Sequence, residues 1–263
     1  MSRPLYRFSA NEPTKREHAG HAGLWFDKFC GCWRVDRELW TLAAEPDGKS
    51  PKAAWIQTVA DGKKVGAEQQ IDESALRRLR FIGRRRGWWA VFTTDSRFVT
   101  GLGRSHPVEN GFAWHPTLGT PYLPGSSVKG MVRAWATIEN ADRKQEGQRA
   151  DRVFGNKDGA GSISFLDAIP IGPVTLEAEV MTPHYAGGSE ADPPGDWRSP
   201  TPIPFLVTAA QTPFVFGIIP LGKSAADDLD VVAKWLIDAL AWAGGGAKTA
   251  VGYGRFRRDE KKT

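Results

Sequence analysis

Residues 124–133, PGSSVKGMVR, bring two hydroxyls, Ser126 and Ser127, and two cations, Lys129 and Arg133, beside the unpaired backbone N–H groups of a helix start. Pro124-Gly125 signals a turn, either serine is a good N-cap, and Val128, Met131, Val132, Trp135 and Ile138 then recur at helical spacing. A helix over 127–140 puts those five on one arc and sets Lys129 and Arg133, four apart, together on its flank. Outward N–H groups, a favourable helix dipole and two cations suit a phosphate. The plainer reading is a well-capped core helix whose Lys and Arg are simply solvated.

A second stretch compatible with phosphate is 244–256, GGGAKTAVGYGRF. Gly246, Gly252 and Gly254, with Gly244 and Gly245, let the backbone approach a ligand without Cβ interference, while Lys248, Thr249 and Arg255 can reach its oxygens. Ala247 ahead of Lys248-Thr249 departs from the Walker A loop, and Gly-Tyr-Gly-Arg-Phe-Arg departs from GxGxxG, so no cofactor is expected. A flexible helix stop would need only one or two of these glycines.

Other residues with chemical potential are more scattered. His106, His115 and His184 lie in loops where a general base for RNA cleavage can sit, but no spacing fixes a partner for any of them. His18, His21, Cys30 and Cys32 spell H-x2-H-x8-C-x-C, a possible zinc set whose C-x-C is tighter than usual, and aromatic packing with no metal is the expectation there. The arginines of 77–86 followed by Trp88-Trp89 combine charge with stacking surfaces, as RNA-binding segments do; a solvated helix face would look the same. Nothing matches GxSxG, HExxH or DxDxDG.

The net charge of +5 is unevenly spread: residues 77–86 carry six Arg and no acid, and residues 245–263 carry six Lys or Arg against Asp259 and Glu260. Charge concentrated in two places favours a polyanionic partner. No run of eighteen apolar residues occurs and the first residues lack an apolar signal-like core, so neither a membrane partner nor secretion is expected. Two cysteines fit a reducing cytoplasm.

The elements that must position these residues read as a strand over 88–100, the helix over 127–140, a strand over 162–167 and an alternating strand over 174–180. A proline-rich excursion at about 181–204 follows, then a buried strand over 214–219, a helix over 225–243 stopped by Gly244, and a last strand over 251–257. The fold class is α+β, a ferredoxin-like (RRM-like) βαββαβ core with a long Pro/Gly-rich insertion. Residues 1–87 form an extension packed on the core domain 88–258; within it Ser50 caps one short helix and Asp72 or Ser74 caps another carrying the arginine run. The Pro/Gly-rich connection 101–125, with His106, Glu109, Trp114 and His115, is long enough to be functional.

Gly101-Leu102-Gly103 with His106-Pro107, then TPYLPGSSVKGMVRAW, TPHY, PTPIPFLVTA and GGGAKTAVGYGRF, in this order, resemble the RAMP superfamily of CRISPR proteins. Within it they are most similar to the sixth-subunit family of the Cmr (type III-B) effector complex. The resemblance runs from about Phe92 to Phe256, and GLWFDKF near the N-terminus is similar too. It implies a non-catalytic subunit near the 3′ end of the CRISPR guide RNA, capping a filament among other Cmr subunits. Carried over, the PGSSVKG helix start, Arg133 and the AKTAVGYGRF loop lie along the guide backbone. The excursion around His184 and Tyr185 corresponds to a thumb-like insertion set against the guide and target RNA duplex. Related subunits that cut target RNA use an acid in the loop after the first strand; here Asp95 falls within the strand and Glu109 in the loop, so that activity is not transferred. The rival readings are a metal-independent endoribonuclease processing CRISPR precursor RNA with His106 or His115 as base, and a mononucleotide-binding protein using the glycine segment.

Overall fold

The computed structural model describes residues 15, 16, 20–36, 39–42, 50–139, 144–183, 202–222 and 225–261. His18, His184 and Tyr185 lie outside these residues, as does most of the 181–204 excursion. The N-terminal elements are α1 (Ala22–Lys28), β1 (Trp33–Asp36), β2 (Leu39–Leu42), α2 (Pro51–Gln57) and α3 (Glu68–Arg84). Then follow β3 (Trp88–Thr94), α4 (Gly125–Glu139), α5 (Lys144–Phe154), β4 (Ile163–Phe165), β5 (Ile169–Pro170), β6 (Leu176–Met181) and β7 (Ile203–Thr208). The chain closes with β8 (Pro213–Pro220), α6 (Ala226–Asp238) and β9 (Phe256–Arg258).

β3 pairs antiparallel with β8 on one side and β9 on the other, and β4 and β5 share the far edge of β8, giving the order β4-β8-β3-β9. Strand alternation divides the two faces. Trp88, Ala90 and Phe92 stand opposite Ile218, Phe216 and Phe214 and join one core with Val128 and Val132 of α4 and Val232 and Leu236 of α6. Trp89 and Val215 face the other way, toward Ile71 and Leu79 of α3. α3 lies close because Gly217 has no side chain: a Cβ there would come within 2.5 Å of Ile82 Cδ1. β6 and β7 form a separate hairpin, whose Leu176 and Leu206 pack with Trp25, Phe26, Trp55 and Trp114 of the N-terminal region and the 101–125 connection.

Several boundaries differ from those expected. The strand predicted over 88–100 ends at Thr94, and only Phe98 pairs again, with Thr208. The arginine helix begins at Glu68, ahead of Asp72 and Ser74, with Ala67 at the cap position. β7, not expected from the sequence, begins in the last two residues of the excursion: Pro204 is tolerated because a two-stranded sheet has only edges, and Phe205, Leu206 and Val207 are buried. α5 reads as a polar connection because Val153 and Phe154 are its only core residues among those described. Residues 249–251 form a 3₁₀ turn with Val251 exposed, so the last strand is only β9; positive φ at Gly252 (94°) and Gly254 (68°) separates the two. The last helix ends in a wide turn over Ala239–Ala243, where Gly244 (φ 79°) donates to Ala239 O at 2.8 Å.

Candidate nucleic-acid interface

The start of α4 is capped from outside its own sequence. Pro124 O accepts the N–H groups of Ser127 and Val128 at 2.8 and 3.0 Å, and Asp167 Oδ1 accepts Gly125 N–H at 2.7 Å. Asp167 reaches this point because the sheet edge breaks between β4 and β5, where Ala168 pairs reciprocally with Leu123. Gly125 is needed at the crossing, since a Cβ would lie 2.3 Å from Phe165 O. Ser126 and Ser127, expected as caps, are exposed in the first turn instead. A carboxylate therefore shares the positive end of the helix, which weakens that end as a phosphate site by itself.

The cations lie further along. Lys129 and Arg133 open on a groove of about 970 Å³, which Gly125 and Ser126 also line. The loop 155–161, GNKDGAG, joins α5 to β4 and lines the same groove, adding Lys157 and Asp158, while Phe154, Ile163 and Phe165 complete it. Three cations thus face one acid across an open hollow that Gly125, Gly155, Gly159 and Gly161 also line. That arrangement takes an extended anionic chain better than a compact ligand.

The loop is held by its own backbone and by one buried carboxylate. Asn156 Oδ1 accepts the N–H groups of Asp158 and Gly159 at 2.9 and 3.2 Å. Gly161 has no room for a side chain, since a Cβ would lie 2.2 Å from Val153 O. Arg152, at the end of α5, donates to both oxygens of Asp228 (Nε to Oδ2 2.9 Å, Nη2 to Oδ1 2.5 Å), and Ser162, just past the loop, lies 3.3 Å from Oδ2. Asp228 is fully buried, and the Arg152 guanidinium holds its carboxyl below the usual carboxylate range. Both ends of the loop are thereby tied to α6.

The glycine segment stands apart from this groove: none of residues 246–255 lines it. The segment meets the start of α4 from behind, where a Cβ on Gly245 would lie 3.1 Å from Leu123 Cδ2. Gly246 and Gly254 are packed against backbone, with room for no Cβ beside Val99 O (2.1 Å) and Gly245 O (2.0 Å). Lys248 Nζ lies 3.4 Å from Met181 Sδ and 5.4 Å over the Phe205 ring, near the loop end of the β6–β7 hairpin. Arg255 Nη2 donates back to Thr249 O at 3.4 Å, and Thr249 and Arg255 are half-buried. The two expected phosphate sites are therefore not brought into one groove. The glycines serve close packing, and only Gly252 has open space where a Cβ would go.

Among the described histidines, His106 and His21 are engaged by the fold through both ring nitrogens and His115 through Nδ1. His106 stacks on Phe26 at 4.2 Å, lies 2.9 Å by Nε2 from Phe26 O and accepts Val108 N–H on Nδ1 at 3.1 Å; burial pushes its pKa down. His115 turns Nδ1 toward the Thr117 and Leu118 N–H groups at 3.4 Å, and burial, with Arg78 nearby, lowers its pKa as well. His21 caps α1 through Nδ1 and lies 2.9 Å by Nε2 from Pro116 O, so both its nitrogens are engaged. Among the described residues, no group of three or more His, Cys, Asp or Glu is placed to hold a metal ion. Asp95 lies 3.3 Å from Arg257, Glu109 lies 2.6 Å from Lys52, and neither lines the groove. No described helix is long and apolar enough to cross a membrane.

A family model described as the RAMP superfamily matches residues 91–257, more than half of the chain. The chain belongs to the RAMP superfamily. A protein of Pyrococcus furiosus named CRISPR system Cmr subunit Cmr6 is 29% identical over 228 residues, covering 63% of this chain and 66% of that one. A Cmr6 subunit of Saccharolobus solfataricus is 33% identical over 174 residues, covering 62% of this chain and 55% of the relative. The chain thus spans 66% and 55% of these two relatives. A chain in a cryo-EM structure of the type III-B Cmr-beta complex bound to cognate target RNA aligns with a TM-score of 0.63 and 25% identity, covering 80% of this chain and 71% of that one.

The RAMP match runs from within β3 to within β9 and includes both walls of the groove. The wall that sequence reasoning missed is 155–161. Its signal was Gly155, Gly159 and Gly161 around Asn156, a turn composition immediately before an alternating strand.

Proposed function

We propose that this chain is a non-catalytic, RNA-binding structural subunit of a type III-B CRISPR ribonucleoprotein in the cytoplasm. It holds the guide RNA backbone near its 3′ end and caps the filament of related subunits. In this reading residues 88–258 are a ferredoxin-like RAMP domain, whose elements β3, α4, β4, β8, α6 and β9 follow the βαββαβ order, and residues 1–87 are an extension on it. The observation that carries the reading is the juxtaposition of Lys129, Arg133 and Lys157 around an open groove. Likeness to the Cmr6 subunits supports the complex to which it is assigned.

Phosphates bound by cations and backbone N–H groups give affinity without reading sequence, which suits a subunit that must accept any guide. The β6–β7 hairpin joins its strands through residues 182–202, beyond the Met181–Ile203 pair, which is where a thumb-like insertion carrying His184 and Tyr185 would project. Lys248, against Met181 at the loop end of that hairpin, links the glycine segment to the same task. A non-catalytic role is favoured by His106, whose two ring nitrogens are already engaged.

The test is photo-crosslinking of the assembled complex to its guide RNA, with crosslinked peptides mapped. The reading requires crosslinks within 126–133 and 155–161, and their absence from both segments refutes it. Site-specific cutting of precursor RNA without metal, lost in His115→Ala, would instead establish the nuclease.

A further inference from the structure

The arginine run has no part in the groove described above, yet it lies against it. Ser74, Arg77, Arg78 and Phe81 recur at i, i+3, i+4 and i+7 and so form one stripe of α3. This stripe lines a second hollow of about 470 Å³, completed by Phe165, Leu166 and Asp167. Phe165 lines both hollows, so the two adjoin at the end of β4. Arg78 bends inward and donates to the backbone carbonyl of Asp167, the residue whose side chain caps α4. Arg77 stays exposed, and Phe81 is 47% exposed beside it.

We propose that this stripe of α3 continues the groove and binds the next stretch of the same RNA strand, with Arg77 on a phosphate and Phe81 under a base. The proposal rests on the RNA-binding reading above and extends the site beyond the family's helix start. An exposed aromatic flanked by guanidinium groups provides what an unpaired strand recognises, a π face for stacking and fixed positive charge for the backbone. The only acid lining this hollow, Asp167, already has its Oδ1 engaged by Gly125 N–H. A protein partner has a better surface elsewhere on the same helix. Leu76 and Leu79, with Trp89, Val91 and Val215, line a separate hollow of about 330 Å³ that holds Asp72 and no cation.

The experiment measures binding of the full-length protein to unstructured single-stranded RNA of two lengths, the longer about twice the shorter, the shorter being enough for the first groove. Arg77→Ala with Phe81→Ala is expected to leave the short RNA unaffected and to weaken the long one about tenfold, with the salt slope reduced by about 0.7 for the lost phosphate contact. Arg77→Lys and Phe81→Trp should restore long-RNA binding. If the double variant binds both lengths like wild type while Lys129→Ala with Arg133→Ala weakens both, the extension is wrong and the RNA-binding reading stands. If neither pair matters, both fail. Loss of assembly with other subunits at unchanged RNA affinity would mark the stripe as a protein interface and overturn the proposal.

Discussion

Asp167 Oδ1 accepts the backbone N–H of Gly125 at 2.7 Å, so α4 starts on a carboxylate from 42 residues away. The contact joins the broken edge strand to the helix that carries Lys129 and Arg133, and it fills a donor that a phosphate would otherwise compete for. Asp167→Ala is expected to cost about 1 kcal/mol, and Asp167→Asn, which keeps an acceptor, less than half of that. Urea denaturation of the two variants measures both. RNA affinity should hold or rise in each, because a negative charge beside the groove is removed.

The buried Asp228 behaves differently. Removing Arg152 leaves a buried carboxylate with only Ser162 at 3.3 Å and the more distant Arg149 at 3.9 Å beside it, a loss expected to cost about 3 kcal/mol. Asp228→Asn leaves no buried charge and should cost less. Arg152→Ala should also loosen 155–161 and weaken RNA binding, whereas Ser162→Ala should do so mildly; denaturation midpoints and titrations with RNA check the two effects separately.

Much of this architecture was legible in the sequence, and the misses share a cause. β3, α4 and α6 announced themselves because their apolar spacing matches their period, and the Val128 and Val132 stripe is buried as expected. Ile138 continues the same spacing yet is 71% exposed, and Ala136 is buried instead, so the buried stripe runs Val128, Val132, Ala136 at i, i+4 and i+8. The helix cap was misplaced because Asp167 is distant in sequence and near only after folding. Long-range pairing also explains the glycine segment: its composition suggests a ligand loop, while the space around Gly246 and Gly254 is taken by backbone from Val99 and Gly245.

That last distinction is measurable. Gly246→Ala combines a φ of 88° with a Cβ placed 2.1 Å from Val99 O, and it should cost about 3 kcal/mol or more. Gly252→Ala has a similar φ of 94° but open space, and should cost only about 1–2 kcal/mol of backbone strain. Equal losses in thermal or urea melts would contradict the packing role of Gly246.

His106 gives the fold a pH dependence whose sign follows from its burial. Its pKa is pushed below the ordinary value of 6.5, so the folded chain favours the neutral ring and the unfolded chain takes up the proton first. Its contribution is complete above pH 6.5 and is lost as pH falls through the depressed folded value. Stability of the wild type should therefore decline on acidification from about pH 6.5, and His106→Gln should be less stable at neutral pH but flatter across that range. An unchanged slope in the variant would assign the acid sensitivity to other groups.

If Lys129 and Arg133 hold an RNA backbone, the salt dependence of binding must show it. Replacing both with Ala should weaken single-stranded RNA binding at least about tenfold at low salt and reduce the slope of log K against log salt by about 1.4, two phosphate contacts at about 0.7 each, with no change in sequence preference. Wild-type affinity and slope in the double variant would contradict it.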